Sequence, residues 1–326
     1  MIKQIITGFL KKSFLSFVLK FIFKIKLFCL LILLVSLTNY CFSQLSLSDS
    51  TTINKSRLKG VIISESVLFA GTMAGLYSLW YKDYPMNGFH LLNDNAEWLQ
   101  IDKAGHATTS YYIGKIGYEA LKWSGVKENK AIWYGGLYGS VYLLTIEILD
   151  GFSAEWGFSL GDFTANTFGS ALFISQQLAW HEQRIMLKYS THFTDYAQYR
   201  PNLMGNNWPQ RIIKDYNGCT YWLSGNIHSF LPKNSGFPKW LNIAIGYGAE
   251  GMIGANSNPA AFDGKKMPTF ERYRQFYLSL DIDLTRIPTK SKTLDLLFDL
   301  IGFIKIPLPT LEYNTHEGFR GHAIYF

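Results

Sequence analysis

Between residues 57 and 188 the chain runs through four long stretches that are apolar around most of a helical circumference. Each nevertheless carries an ionisable group: Glu65, His106, Glu147 or Asp162. A helix that is apolar on all sides is buried, in protein or in lipid. Four in succession therefore restrict the chain to a tight helical body or to a membrane. The stretches run over about 57–81, 102–123, 129–149 and 160–188. Pro85, Gly88 and Asn93, then Gly125, then Gly151 and Gly157 separate them. Small residues recur four apart, at Gly71/Gly75, Ser110/Gly114, Gly135/Gly139 and Gly136/Ser140, a spacing that lets helix backbones approach closely. Trp80, Trp123, Trp133 and Trp180 fall at or near helix ends, as an interfacial belt or the aromatic rim of a soluble bundle would place them. The uncharged parts stop short of a spanning length or barely reach it, so both settings stay open. Connections of this length predict a four-helix up-down bundle over residues 57–190.

The region ahead of the bundle gives the address. Residues 1–43 hold six lysines and no acidic residue. An apolar run from Leu27 to Leu37 follows the basic part, then Cys41-Phe42-Ser43 before Gln44. This is the pattern of a secretion signal. Tyr40 stands where a lipid-attachment motif needs a small residue before Cys41, so lipidation is not expected. Residues 44–56 are polar and aperiodic, a flexible leader. The whole chain has 31 basic and 24 acidic residues. Without the six lysines of the signal it is nearly neutral, which excludes a basic surface for nucleic acid. Cys219 alone remains beyond the signal, so no internal disulfide forms. The expected place is the periplasm or a membrane-associated part of the cell envelope, with inner and outer membrane equally open.

From 191 to 326 the period changes. Phe276, Leu278, Leu280, Ile282 and Leu284 alternate with Tyr277, Ser279, Asp281 and Asp283, and 241–247 alternates likewise. Period two with one polar face is a strand signature. Residues 220–230, 308–314 and 319–326 are weaker strands, and 291–303 is helical. About five strands are too few for a closed barrel, even though the chain ends in a phenylalanine as outer-membrane strands do. The expectation is an α+β protein: the helical bundle, then an open sheet whose apolar face packs on the bundle or lies on a membrane.

Three polar fragments stand out: Asp102-Lys103-Ala-Gly-His106, Glu147-Ile-Leu-Asp150-Gly151, and Ser159-Leu-Gly-Asp162 with Asn166 and Gly169 behind it. Spacings of three and four set their polar residues on one helix face. An up-down course brings the start of the second helix, the end of the third and the start of the fourth together, so Asp102, His106, Glu147, Asp150, Asp162 and Asn166 converge. Asp102 also suits an N-cap, and Ser159 with Asp162 a capping box. Glu147 and Asp150 oppose the dipole of a helix C-terminus and call for a cation. Lys103, His106 or a divalent metal held by His106, Glu147 and Asp150 would supply it. In this order the motifs DKxxH, ExxDG and GFSxxDxxxNxxG resemble the YfiM-type family of predicted periplasmic lipoproteins, of unknown function, and more loosely VanZ-like membrane proteins. The resemblance covers residues 95–180 and implies place and fold rather than chemistry.

Two readings of function follow. One is a non-catalytic envelope protein that contacts a membrane, an envelope lipid or a protein partner. The other is a hydrolase or transferase acting on an envelope lipid or cell-wall precursor. There His106 would be base or ligand, Glu147 and Asp150 its carboxylate partners, and Lys103 the binder of an anionic head group. No HExxH, GxSxG or phosphate-loop motif is present.

Overall fold

The structure, a computed structural model, describes residues 53–82 and 84–326, apart from the side chains of Leu79, Trp80, Lys292 and Leu296. The secretion signal and most of the leader lie outside the described residues. The chain divides into two compact units. The smaller takes the residues up to Lys82 together with 120–127. Its helix α1 (Lys55–Leu76) begins on Asn54, whose side chain accepts from the Arg57 N–H at 3.0 Å, and runs on into a π-helical turn over Tyr77–Tyr81. Within this unit the Asn54 N–H donates to Ser124 O at 2.9 Å, and the Arg57 guanidinium lies 4.8 Å from the Trp123 ring centroid.

The larger unit takes 83–119 and 128–326. It contains β1 (Leu91–Leu92), then α2 (Ile101–Trp123, whose last turn belongs to the smaller unit), α3 (Glu128–Asp150), β2 (Phe158–Ser159), α4 (Leu160–Trp180) and β3 (Ile185–Thr191). The short helices α5 (Pro201–Met204) and α6 (Trp208–Lys214) follow, then β4 (Cys219–Asn226), β5 (Leu241–Glu250), the hairpin β6 (Ala261–Phe262) and β7 (Lys265–Lys266), and β8 (Tyr273–Ile282). The last elements are α7 (Lys292–Ile301), β9 (Leu308–Asn314) and β10 (Gly318–Tyr325). Among the described residues seven helices and an open antiparallel sheet make a mixed fold, not clearly the expected four-helix up-down bundle. The first predicted helix sorts with the smaller unit, leaving α2, α3 and α4 to form the helical layer of the larger one.

Small residues set the spacing of that layer. A Cβ at Gly139 would strike the Ser110 carbonyl of α2, and one at Gly169 the Ala107 carbonyl. At this crossing Ser110, Ser140 and Ser170, one from each helix, share hydroxyl contacts. The Oγ of Ser110 and of Ser140 donate to Asn166 O at 2.7 and 2.8 Å. Polar groups buried in so dry a place need such partners.

The fourth predicted helix was expected to reach residue 188 but ends at Trp180. His181 takes a left-handed φ of 56°, and Gln176 Oε1 accepts from the N–H groups of Arg184 and Ile185, turning the chain into β3. The sheet therefore has six strands, in the order β10-β9-β8-β5-β4-β3, every pair antiparallel.

The sheet curls strongly. Lys188 Nζ on β3 meets Asp281 Oδ2 on β8 at 2.7 Å, and Thr220 on β4 meets the Tyr325 hydroxyl on β10 at 3.3 Å. A flat sheet with about 4.8 Å between strands would hold these pairs about 14 and 19 Å apart. The concave face is polar: Lys188, Ser224, Asn242, Ser279, Asp281 and Glu312 are buried there around Trp222 and Tyr277. The convex face is apolar. One cross-strand row reads Leu187, Leu223, Ile245, Leu278, Leu311, and another reads Tyr189, Tyr221, Tyr247, Phe276, Tyr313, Phe319. Helices cover this face at β3 and β4, where Leu187 and Leu223 join Tyr111, Phe173 and Ile174 in one apolar cluster. On β5 the Tyr247–Ala249 end packs against Trp98 and Ile101, and the rest of the face is bare: Phe276, Leu278 and Leu280 are each 46% exposed and Ile245 57%. Of the two settings expected for the apolar face of 276–284, packing on the helices is therefore not the one found on β8. The residues turned inward are Tyr277, Ser279 and Asp281.

Candidate functional site

Lys103, on the first turn of α2, is the centre of the polar cluster. Its ammonium stands 2.6 Å from Asp94 Oδ2, 2.9 Å from Asp102 Oδ2 and 3.1 Å from Asp162 Oδ1. The chain enters this turn through Trp98, Leu99 and Gln100, with φ of 48°, 49° and 71°. Side chains rarely take three left-handed positions in a row. They are held from outside: the Trp98 N–H donates to Ala255 O at 2.8 Å, and the Tyr247 hydroxyl donates to Leu99 O. Asp102 consequently lies inside the helix start rather than capping it.

Ser159 does cap α4, accepting from the Asp162 N–H at 3.0 Å. Its hydroxyl donates to Asp94 Oδ1 at 2.5 Å. In a capping box the acid three residues on would accept from the capping N–H. Here Glu147 Oε2, reaching from α3, accepts from the Ser159 N–H at 3.2 Å. Asp162 is thereby released toward Lys103 and His106.

His106, one turn further along α2, is flanked on both sides. Its Nδ1 lies 3.1 Å from Asn166 Oδ1 and 3.7 Å from Glu147 Oε1, and its Nε2 lies 3.9 Å from Asp162 Oδ1. Glu147 is only 2% exposed, Asn166 1% and Asp162 6%, whereas the His106 side chain is 26% exposed and forms the wet edge of the group. Asp162 Oδ1 and Asn166 Nδ2 are buried and make no hydrogen bond of good geometry, although Lys103 lies near the first.

Three carboxylates around Lys103, with Glu147 beside His106, carry a charge imbalance, and their acidities register it. Burial pushes the Glu147 carboxyl up to about 8, with the charges of Asp162 and Asp150 adding to the effect. Burial also raises Asp162, to about 6. His106 and Lys103 oppose the rise, while its hydrogen bond to Asp94 reinforces it. For Asp94 burial works upward too, but hydrogen bonds from Asp162, Lys103 and Ser159 outweigh it and hold the group below the ordinary range. Asp102 is raised by burial against the pull of Lys103. Lys103 is held well above the usual lysine value, because its acidic partners outweigh its burial.

The structure thus brings together Asp102, Lys103, His106, Glu147, Ser159, Asp162 and Asn166. Asp150 enters through its charge on Glu147. Asp94 was absent from the sequence reading. It lies in a loop, outside any helical period, and reaches the site because Leu92 of β1 pairs with Ser159 of β2. Two sets of side chains place ligand atoms within 4.8 Å of one another, His106/Glu147/Asp162 and Asp94/Asp102/Asp162. Lys103 already sits in the second.

A cavity of about 300 Å³, lined by Lys115, Tyr118, Gln177, Gln183, Arg286 and Asp299 among others, lies toward the opposite end of α2 and α4.

Residues 91–176, the span that holds every member of the cluster, match a family described as predicted periplasmic lipoprotein (DUF2279). That description is of an exported, envelope-associated protein without assigned activity. No curated protein and no solved structure matches the chain.

Proposed function

We propose that this is a non-catalytic protein of the cell envelope whose bare apolar sheet face lies against lipid. The supporting observation is the polarity of the sheet. Across β5, β8 and β9 the ionisable and amide side chains other than Arg274 turn inward, and Ile243, Ile245, Phe276, Leu278, Leu280 and Leu311 turn outward. A sheet that folds for water does the reverse. An apolar surface of this extent on an exported protein marks a contact with a membrane or a partner. Lipid is favoured by Phe276, Tyr313 and Phe319, the exposed aromatics of the cross-strand row on β8, β9 and β10, since such residues gather at membrane–water boundaries. It is favoured also by α7, a short amphipathic helix exposing Leu294, Leu297 and Leu300. The resemblance to YfiM-type envelope proteins agrees with that setting.

Cell fractionation tests this. The full chain is expected in the membrane fraction after a carbonate wash, and Ile245→Glu combined with Leu278→Glu is expected to shift most of it to the wash. Recovery of the unaltered chain wholly in the soluble periplasmic fraction would defeat the proposal.

A further inference from the structure

We infer that His106, Glu147 and Asp162 form a binding site for a divalent transition-metal ion. This goes beyond the membrane role and does not depend on it. The donors come from three helices, α2, α3 and α4, and their ligand atoms already lie within 4.8 Å of one another. A tetrahedral zinc-like ion holds nitrogen and oxygen at about 2.0–2.2 Å and so about 3.3–3.6 Å from one another; His106 Nε2 and Asp162 Oδ1, at 3.9 Å, would close by a few tenths of an ångström on an ion.

Two further observations separate this group from a mere cluster of acids. First, Asn166 Nδ2, on a side chain more than nine-tenths buried, has no hydrogen-bond partner among the described residues beside the imidazole, and Asp162 Oδ1 meets the Lys103 ammonium at 3.1 Å without a well-formed hydrogen bond. Buried polar atoms are normally paired, and an orphan calls for an explanation, of which a bound ion or water is one. Second, Asn166 Oδ1 stands 3.1 Å from His106 Nδ1, placed to accept its N–H. That contact fixes the tautomer with Nε2 free to bind, the outer-shell arrangement that orients metal-binding histidines. Asn166 Nδ2 is then left to donate to a water or anion oxygen on the ion.

Imidazole with two carboxylates suits zinc, manganese or iron better than calcium or magnesium. A dication would also neutralise carboxylates that Lys103 alone does not balance. Access is from the His106 side, the exposed edge. Asp150, the third candidate from sequence, is replaced in the set by Asp162.

The test is Zn²⁺ titration of the full chain, solubilised in detergent and stripped by chelator, followed by calorimetry and by metal content after dialysis. One zinc per chain is expected. His106→Ala should weaken binding at least 100-fold and Asn166→Ala about 10- to 100-fold, whereas Asp150→Asn should stay within about threefold of wild type. Circular dichroism of the metal-free variants checks that they fold, and His106→Gln replaces the alanine variant if it does not. Absence of stoichiometric zinc in the wild type overturns the inference. So does undiminished binding by the His106 variant, or a loss in Asp150→Asn equal to that in His106→Ala. None of these readings depends on where the protein resides in the cell.

Discussion

Lys305 shows how a single side chain reports on the concave face of the sheet. It is 1% exposed, donates to Ile306 O at 2.8 Å and lies 4.8 Å from the Trp222 ring centroid. Burial presses its acidity down to about 8. Asp281 works against that shift, and the Lys188 charge adds to it. The unfolded chain holds this proton up to about 10.5, so between about pH 8 and 10.5 the folded state binds fewer protons than the unfolded one. Stability must then rise with pH across that window, by up to about 3 kcal/mol. Lys305→Met is expected to flatten the rise, measured as denaturant midpoints from pH 7.5 to 10. An unchanged slope would show that the ammonium is solvated. Nothing in the sequence distinguished Lys305, since a lone lysine just past a helical stretch and two residues before Pro307 reads as a loop charge. Glu147 was legible because its placement against the helix dipole demanded an explanation. Asp94 was not, because its partners come through strand pairing and helix packing far from it in the chain.

Among the elements, the close approach of α2, α3 and α4 rests on residues that the four-residue spacing had singled out. Gly139→Ala would drive a methyl group into the Ser110 carbonyl, so it should cost several kcal/mol as overpacking. Gly71 on α1 carries the same spacing signal but has nothing within 4 Å of its would-be Cβ, and Gly71→Ala should stabilise by about 0.5–1 kcal/mol. Urea unfolding of the two variants would separate packing glycines from incidental ones; equal effects would contradict the packing geometry. Spacing alone does not distinguish them, because it records that a helix face is small without recording what stands opposite. The same holds for β3. Its Ile185–Thr191 segment follows the helix after only His181-Glu182-Gln183-Arg184, with no glycine or proline to mark a break, and the switch depends on Gln176 and on pairing with β4. Strand β8, by contrast, was legible residue by residue in its alternation, which does not by itself say which face the protein covers.

For the molecule as a whole, which face is covered decides how the fold is held. Leu280→Asp, on the convex face, is expected to change stability by less than about 1 kcal/mol, as exposed positions do. Asp281→Leu, one residue on, should cost about 3–5 kcal/mol, because it strands the wholly buried Lys188 ammonium. Melting both in detergent checks the pair, and the opposite ranking would mean that the helices cover β8 after all. An ordinary hydrophobic core does exist beneath the helices, around Trp98, Ile101, Met204, Cys219 and Met252 and around Tyr111 and Phe173. The concave interior of the sheet is held instead by ion pairs, amides and stacked aromatics.

That interior has a consequence for how the chain reaches its native state. Side chains alternate along a strand, so sliding β8 by one residue against β5 would hide Phe276, Leu278 and Leu280 and present Gln275, Ser279 and Asp281 to solvent. In plain water the slipped pairing satisfies the hydrophobic effect better than the native one. Correct register therefore depends on Lys188 finding Asp281 across two intervening strands. On the proposal that the convex face lies against lipid, water favours the wrong ladder and an apolar medium the right one.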